Sequence, residues 1–215
     1  MSVKRFLSGV AVAALAAVVV NAQTPAPKLP ASPDGRAQAQ VGGKWVTPAG
    51  ANAEPAYQGG KWIEITYSRP GLKGRPNIFG AGKDYGTMVN GGAPVWRAGA
   101  NVTTRLRTEV PLVIGGKTVA AGEYSVFIEL KEGAWTLILS NWAAQTTYDP
   151  NNKAALWGSY NYTPDKDVLR VPMKMAKNAM SVEQLTWSFV NMTATGGEIA
   201  IMWDKDVASV PFKLG

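Results

Sequence analysis

Hydrophobic and polar positions alternate with a period of two over much of the chain. Tyr124, Val126, Ile128 and Leu130 fall on one side of such an alternation, and Trp135, Leu137 and Leu139 on one side of the next, with Lys131-Glu132-Gly133 between them. That pattern predicts a β-hairpin with a buried face. Ile63, Ile65 and Tyr67 alternate with Glu64 and Thr66 in the same way. Further strands are predicted over 102–109, 111–114, 118–120, 168–175, 182–192, 199–203 and 207–214. A short helix over 176–183 competes with a loop there, because Asn178 and Ser181 suit either. Ten or so short strands without a sustained helical period predict an all-β fold, an antiparallel β-sandwich or barrel-like sandwich. Gly42-Gly43-Lys44-Trp45 recurs as Gly59-Gly60-Lys61-Trp62, and each copy reads as a turn leading into a strand whose first apolar contact is the Trp.

One stretch, 67–104, follows no period. It runs through Tyr67-Ser68-Arg69-Pro70-Gly71-Leu72-Lys73-Gly74-Arg75 and Ile78-Phe79-Gly80 to Trp96-Arg97-Ala98-Gly99-Ala100-Asn101. Its Gly, Pro and Arg content predicts a long shaped loop, and its large apolar residues predict that the loop is packed down.

The N-terminus carries Lys4-Arg5, an apolar run from Phe6 to Val20, and small residues ending in Ala22. A run of 15 residues is shorter than the roughly 20 that span a bilayer, so we read 1–22 as a secretory signal peptide and expect a periplasmic or extracellular protein with no membrane span after cleavage. The stretch 23–35, with Pro25, Pro27, Pro30 and Pro33, reads as a tether, and 36–215 as one domain. The chain has no Cys and no His. That composition excludes a Ser-His-Asp triad, a thiolate nucleophile and the usual zinc or copper sites, and we expect neither a cofactor nor a metal. The net charge is +7. Between Lys61 and Arg107, eight basic residues face only Glu64 and Asp84, so the excess is gathered around the loop.

The candidate binding chemistry follows from that gathering. Arg69, Arg75 and Arg97 lie beside Gly or Pro, where a planar five-donor head can meet a carboxylate, phosphate or sulfate. Asn101 offers an amide, and Tyr67 and Trp96 are candidate walls. The competing reading has the same arginines bracing loop carbonyls that lack a strand partner. The aromatic segment 142–162 is either a platform for sugar rings or a clamp holding a long loop onto the sheet. Glu123 with Glu129 and Asp165 with Asp167 are the acid pairs a carboxylate-only glycosidase would use. Gly80-Ala81-Gly82-Lys83-Asp84 lacks the spacing of a phosphate loop, and Asp149-Pro150-Asn151-Asn152 reads as a turn. Nucleic acid is not an expected partner.

The motifs quoted from the long loop, together with Ala121-Gly122-Glu123-Tyr124-Ser125 and Asp167-Val168-Leu169-Arg170, resemble the exported bacterial family catalogued as domain of unknown function 2911. The resemblance extends over about 32–214. It implies an exported, mostly β domain and carries no activity with it. Members usually place an acidic residue after the Gly-Ala-Asn, where this chain has Val102. Three functional classes follow as expectations. The first is a non-catalytic binding or envelope-associated module for an anionic or saccharide ligand. The others are a structural or protein-interaction domain and a carboxylate-only carbohydrate-active enzyme.

Overall fold

The computed structural model describes residue 28 and residues 30–50 and 52–215; the stretch read as a signal peptide lies outside them. Six strands form an antiparallel sheet in the order β1 (Asp34–Val41), β4 (Lys61–Ser68), β5 (Thr104–Thr108), β8 (Gly122–Glu129), β9 (Thr136–Ser140) and β12 (Asp167–Pro172). A second antiparallel sheet has the order β13 (Lys174–Thr193), β14 (Gly196–Leu214), β6 (Leu112–Ile114) and β7 (Lys117–Val119). Two small pairs complete the strands: antiparallel β2 (Lys44–Val46) with β3 (Ala56–Gln58), and parallel β10 (Ala143–Ala144) with β11 (Ala155–Leu156). The fold is an all-β, sandwich-like arrangement with no closed barrel.

Alternation sets the inner faces. Ile63 and Ile65 of β4, Leu106 of β5 and Val126 and Ile128 of β8 meet Trp187, Ile201 and Phe212 of the second sheet in one continuous core. Each such side chain stabilises the fold by about 1.5–3 kcal/mol relative to leaving it in water. The sheets are also laced together where Gly71 bridges Gln184: Leu72 N–H donates to Glu183 O at 2.9 Å and Leu185 N–H to Pro70 O at 3.0 Å.

The long loop is ordered because it buries what it carries. Ile78, Phe79, Val95 and Trp96 are all buried. Phe79 packs on Trp135 at 4.7 Å between ring centroids, and Trp96 stacks on Trp203 at 6.1 Å. The loop also contains a single α-helical turn, α1 (Thr87–Asn90), framed by Gly86 and Gly91, both left-handed.

Several expectations are corrected. No helix forms over 176–183: the segment belongs to β13, where the register jumps from Lys177↔Asp206 to Val182↔Asp204 and residues 178–181 bulge outward. A bulge absorbs residues that break the alternation without ending the strand, so 182–192 continues 174–177 within β13 and the runs at 199–203 and 207–214 merge into β14; the run 168–175 divides at Met173 between β12 and β13. The first sheet starts earlier than the domain boundary at 36, because Asp34 pairs with Ser68. Neither Trp of the repeated tetrapeptide is a core contact: Trp45 is 70% and Trp62 43% exposed. Trp62 shares the parity of Glu64 and Thr66 and so points away from the core. Asn101, Asn161 and Asn191, each followed by x-Thr, hold φ of 56°, 62° and 51°, a left-handed conformation that favours Asn at these positions without reference to modification.

The outer face of the six-stranded sheet is half covered. Phe127 and Ile138 lie opposite each other in the β8–β9 register and point outward, yet both are fully buried, under Leu156 and Tyr162. The segment above them is clamped. Trp142 Nε1–H donates to Thr163 O at 3.0 Å, Lys166 Nζ lies 3.6 Å from the centre of the Trp142 ring, and Ser125 Oγ donates to Trp142 O at 2.6 Å. Gln145 holds the turn at Asp149, donating to three carbonyls and accepting Asp149 N–H at 2.8 Å. The β1–β4–β5 half of that face remains open.

Candidate functional site: an open trough on the sheet

Pairing register brings polar side chains into rows across this open half. One row is Arg36–Thr66–Arg105–Ser125, the next Gln38–Glu64–Arg107–Glu123, and beyond them Gln40 stands opposite Trp62. Because Ala37, Ile63, Ile65 and Leu106 are buried beneath, these rows face outward by period two alone. Two depressions follow them. One of about 390 Å³ is lined by Asp34, Arg36, Thr66, Thr103, Arg105 and Gln145, among others, and one of about 270 Å³ by Arg36, Gln38, Trp62, Glu64, Arg107 and Glu109. Arg36 lines both, so they adjoin at its side chain, and together they make up the trough.

Each arginine of the trough has a carboxylate. Arg36 Nε lies 3.3 Å from Glu64 Oε2, Arg105 Nη1 3.5 Å from Glu123 Oε1, and Arg107 Nη2 3.6 Å from Glu109 Oε1. Gln38 Nε2–H also donates to Glu64, and Trp62 N–H donates to Glu109 Oε2 at 2.8 Å. Exposed pairs of this kind add about 0–1 kcal/mol to stability. They set donor and acceptor groups side by side over the sheet.

The three loop arginines are placed differently. Arg69 Nε–H donates to Leu185 O at 3.4 Å, and its methylenes occupy the space above Gly35. Arg75 donates to Leu72 O at 2.9 Å and Gly71 O at 2.7 Å. Arg97 Nη1–H donates to Asn101 O at 2.7 Å while its guanidinium lies against Gly158, and burial pulls it below its ordinary pKa. The heads are thus fastened to three separate stretches of backbone, and no carboxylate among the described residues lies within ion-pair distance of them. Asn101 contributes its carbonyl to this arrangement. Tyr67 lines the trough only at one edge, and its hydroxyl accepts Trp187 N–H at 3.0 Å. Trp96 is 1% exposed and paired through its backbone with Ile128, so it faces the core.

The candidate acids are regrouped. Glu123 holds Arg105, and Asp165 accepts the Thr163 hydroxyl. Glu129 and Asp167 instead meet at one guanidinium: Arg170 Nη2 bonds Glu129 and Arg170 Nη1 bonds Asp167 Oδ2 at 2.9 Å, while Tyr162 O–H donates to the same oxygen at 2.6 Å. Hydrogen bonding from Lys131, with Arg170 adding to it, holds Glu129 below the usual carboxylate range. This cluster fastens the covering segment to β12. A further cleft of about 400 Å³ at the end of the sandwich has several of its polar side chains already bonded within the protein. Glu132 accepts Gly82 N–H, the Tyr85 hydroxyl accepts Trp135 Nε1–H, and Lys177 Nζ donates to Asp206.

Composition places Arg105 and Arg107 in the basic excess but does not reveal the trough. The available signal was the alternation Arg36-Ala37-Gln38-Ala39-Gln40-Val41, whose inward residues are too small to stand out.

These features define a class: an all-β sandwich domain with one sheet face partly covered and partly open as a polar trough. Residues 50–212 match the family model described as protein of unknown function (DUF2911), and the chain belongs to that family. No curated protein and no solved structure gave a match.

Proposed function

We propose that the protein is an exported, non-catalytic binding module that holds a saccharide in the trough, either free or as part of an envelope polymer. The pairing of every trough arginine with a carboxylate carries this reading. An anion would meet guanidiniums whose charge a neighbouring carboxylate already offsets, and would itself be repelled by that carboxylate. A sugar hydroxyl both donates and accepts, and so can bridge a guanidinium and its acid without breaking the pair. The half-exposed Trp62 adds a flat apolar face for a pyranose ring. Glycosidase chemistry needs one protonated carboxyl opposite a second acid. Glu64, Glu109 and Glu123 of the trough are each set against an arginine instead, which favours binding over hydrolysis.

Calorimetric titration with neutral cello-, xylo- and chito-oligosaccharides, and with oligogalacturonate as the anionic comparison, tests the proposal. Neutral chains should bind with an affinity that changes little between low and high salt, and Trp62→Ala should weaken it. Preference for oligogalacturonate with a steep loss in salt identifies an anion site instead. The carbonyl-bonded loop arginines favour a second reading, a structural or protein-interaction domain, which the absence of binding in every series would support.

A further inference from the structure

The repeated Gly-Gly-Lys-Trp is not explained by the trough alone. Its two copies stand at the two sides of the base of a hairpin arm: β1 and β4 are paired as far as Val41↔Lys61, and the chain then continues into the β2–β3 pair from Lys44↔Gln58. Gly42 and Gly59 hold matching left-handed conformations, φ 70° and 71°, which bend both strands at one level. Gly43 and Gly60 leave room for a ring. A Cβ on either would lie 2.6 Å from Tyr57 Cε1, and at Gly60 it would also lie 3.3 Å from Gln40 Cβ.

Gln40 stands beside Trp62 on the outer face, so the Tyr57 ring closes over the end of that same face. Gly43 N–H fixes the ring by donating to the Tyr57 hydroxyl at 2.9 Å. Trp45 meets Tyr57 edge to face at 5.6 Å and is otherwise largely uncovered. Along one face the order is therefore Trp45, Tyr57 and Trp62, then the paired charges of the trough.

We propose that the β2–β3 arm is the aromatic end of the binding face, and that the ligand is an extended neutral glycan of several units, with one ring at Trp45 and the following rings on Trp62 and the charge pairs. The inference rests on the saccharide reading of the trough. The chemistry is that of a sugar ring, whose apolar face stacks on an indole while its rim of hydroxyls needs donors and acceptors together. A single sugar would use only part of a face that carries both kinds of surface in succession. The repeated motif then has one physical role: two glycines bend a two-stranded arm and two make room for the Tyr57 ring, so that the aromatic pair stands over the sheet.

The test is a chain-length series of the same cello-, xylo- and chito-oligosaccharides, from two units to six, titrated into the wild-type protein, Trp45→Ala and Trp62→Ala. In the series that binds, wild-type affinity should rise with length. Trp45→Ala should weaken the longest chain by about three- to tenfold and leave the shortest unchanged, whereas Trp62→Ala should weaken all lengths. Trp45 is exposed, so its variant should melt with the wild type. Equal binding of the longest chain by Trp45→Ala and wild type overturns the arm while leaving the trough in place. Failure of the wild type to bind any series overturns both.

Discussion

Gly158 offers a direct test of whether Arg97 belongs to the scaffold. Its φ is +62°, and an added Cβ would lie 2.5 Å from Arg97 Nη1 and 2.7 Å from Cζ. The backbone cannot retreat easily, because Thr103 Oγ donates to Gly158 O at 2.7 Å, so the guanidinium must move and give up its bond to Asn101 O. Gly133 is the matched control, with φ +72° and open space around the added atom. Gly133→Ala should cost only the left-handed penalty, about 1–2 kcal/mol. Gly158→Ala should cost the same plus the lost charge-assisted bond, about 1.5–3 kcal/mol more. Urea unfolding of the two variants measures the difference, and the unfolded-state entropy of the two substitutions cancels between them. In an Arg97→Ala background the excess at Gly158 should vanish. Equal costs at Gly158 and Gly133 would refute the reasoning and show Arg97 free to swing away.

Tyr85→Phe removes the acceptor of Trp135 Nε1–H, a bond of 2.8 Å, and should destabilise by about 1–3 kcal/mol in urea; a negligible cost would mean that the indole finds another acceptor. Phe79→Ala, at the centre of the aromatic cluster, should cost about 3–5 kcal/mol in the same assay. The cluster around Arg170 predicts two limbs of pH dependence. Glu129 has a lowered pKa, chiefly through Lys131 and then Arg170, so its contribution is present above the ordinary carboxylate range and is lost as pH falls through its folded value; Lys131→Ala should reduce that acid limb most, and Arg170→Ala should reduce it further. Tyr162 is raised, chiefly by burial and then by its bond to Asp167, so its contribution is complete below about pH 10 and drains away above it; Tyr162→Phe should remove that alkaline limb.

The β8–β9 hairpin was legible because its inward residues are large and strictly alternate. The same signal failed at β1, where the inward positions are Ala37, Ala39 and Val41, and at β13, where the bulge at 178–181 interrupts the period without ending the strand. The trough was illegible for a further reason. Arg36, Glu64 and Arg107 are far apart in sequence and meet only through the register of three strands, and register is not a local property. The aromatic segment 142–162 divides: Trp142 and Tyr162 clamp it to the sheet, while Tyr148 and Tyr160 remain exposed. The loop arginines were visible from composition, but carbonyls such as Gly71 O and Asn101 O become their partners only once the loop has folded.

The central claim is that the open half of the six-stranded sheet is the recognition surface. Two-dimensional NMR of the isotope-labelled protein, following the side-chain Nε–H signals of Arg36, Arg105, Arg107, Arg69, Arg75 and Arg97 during titration with the tightest-binding neutral oligosaccharide, tests it most directly. The account predicts shifts at Arg36, Arg105 and Arg107 with Arg69, Arg75 and Arg97 unmoved. Shifts confined to the three loop arginines would contradict it.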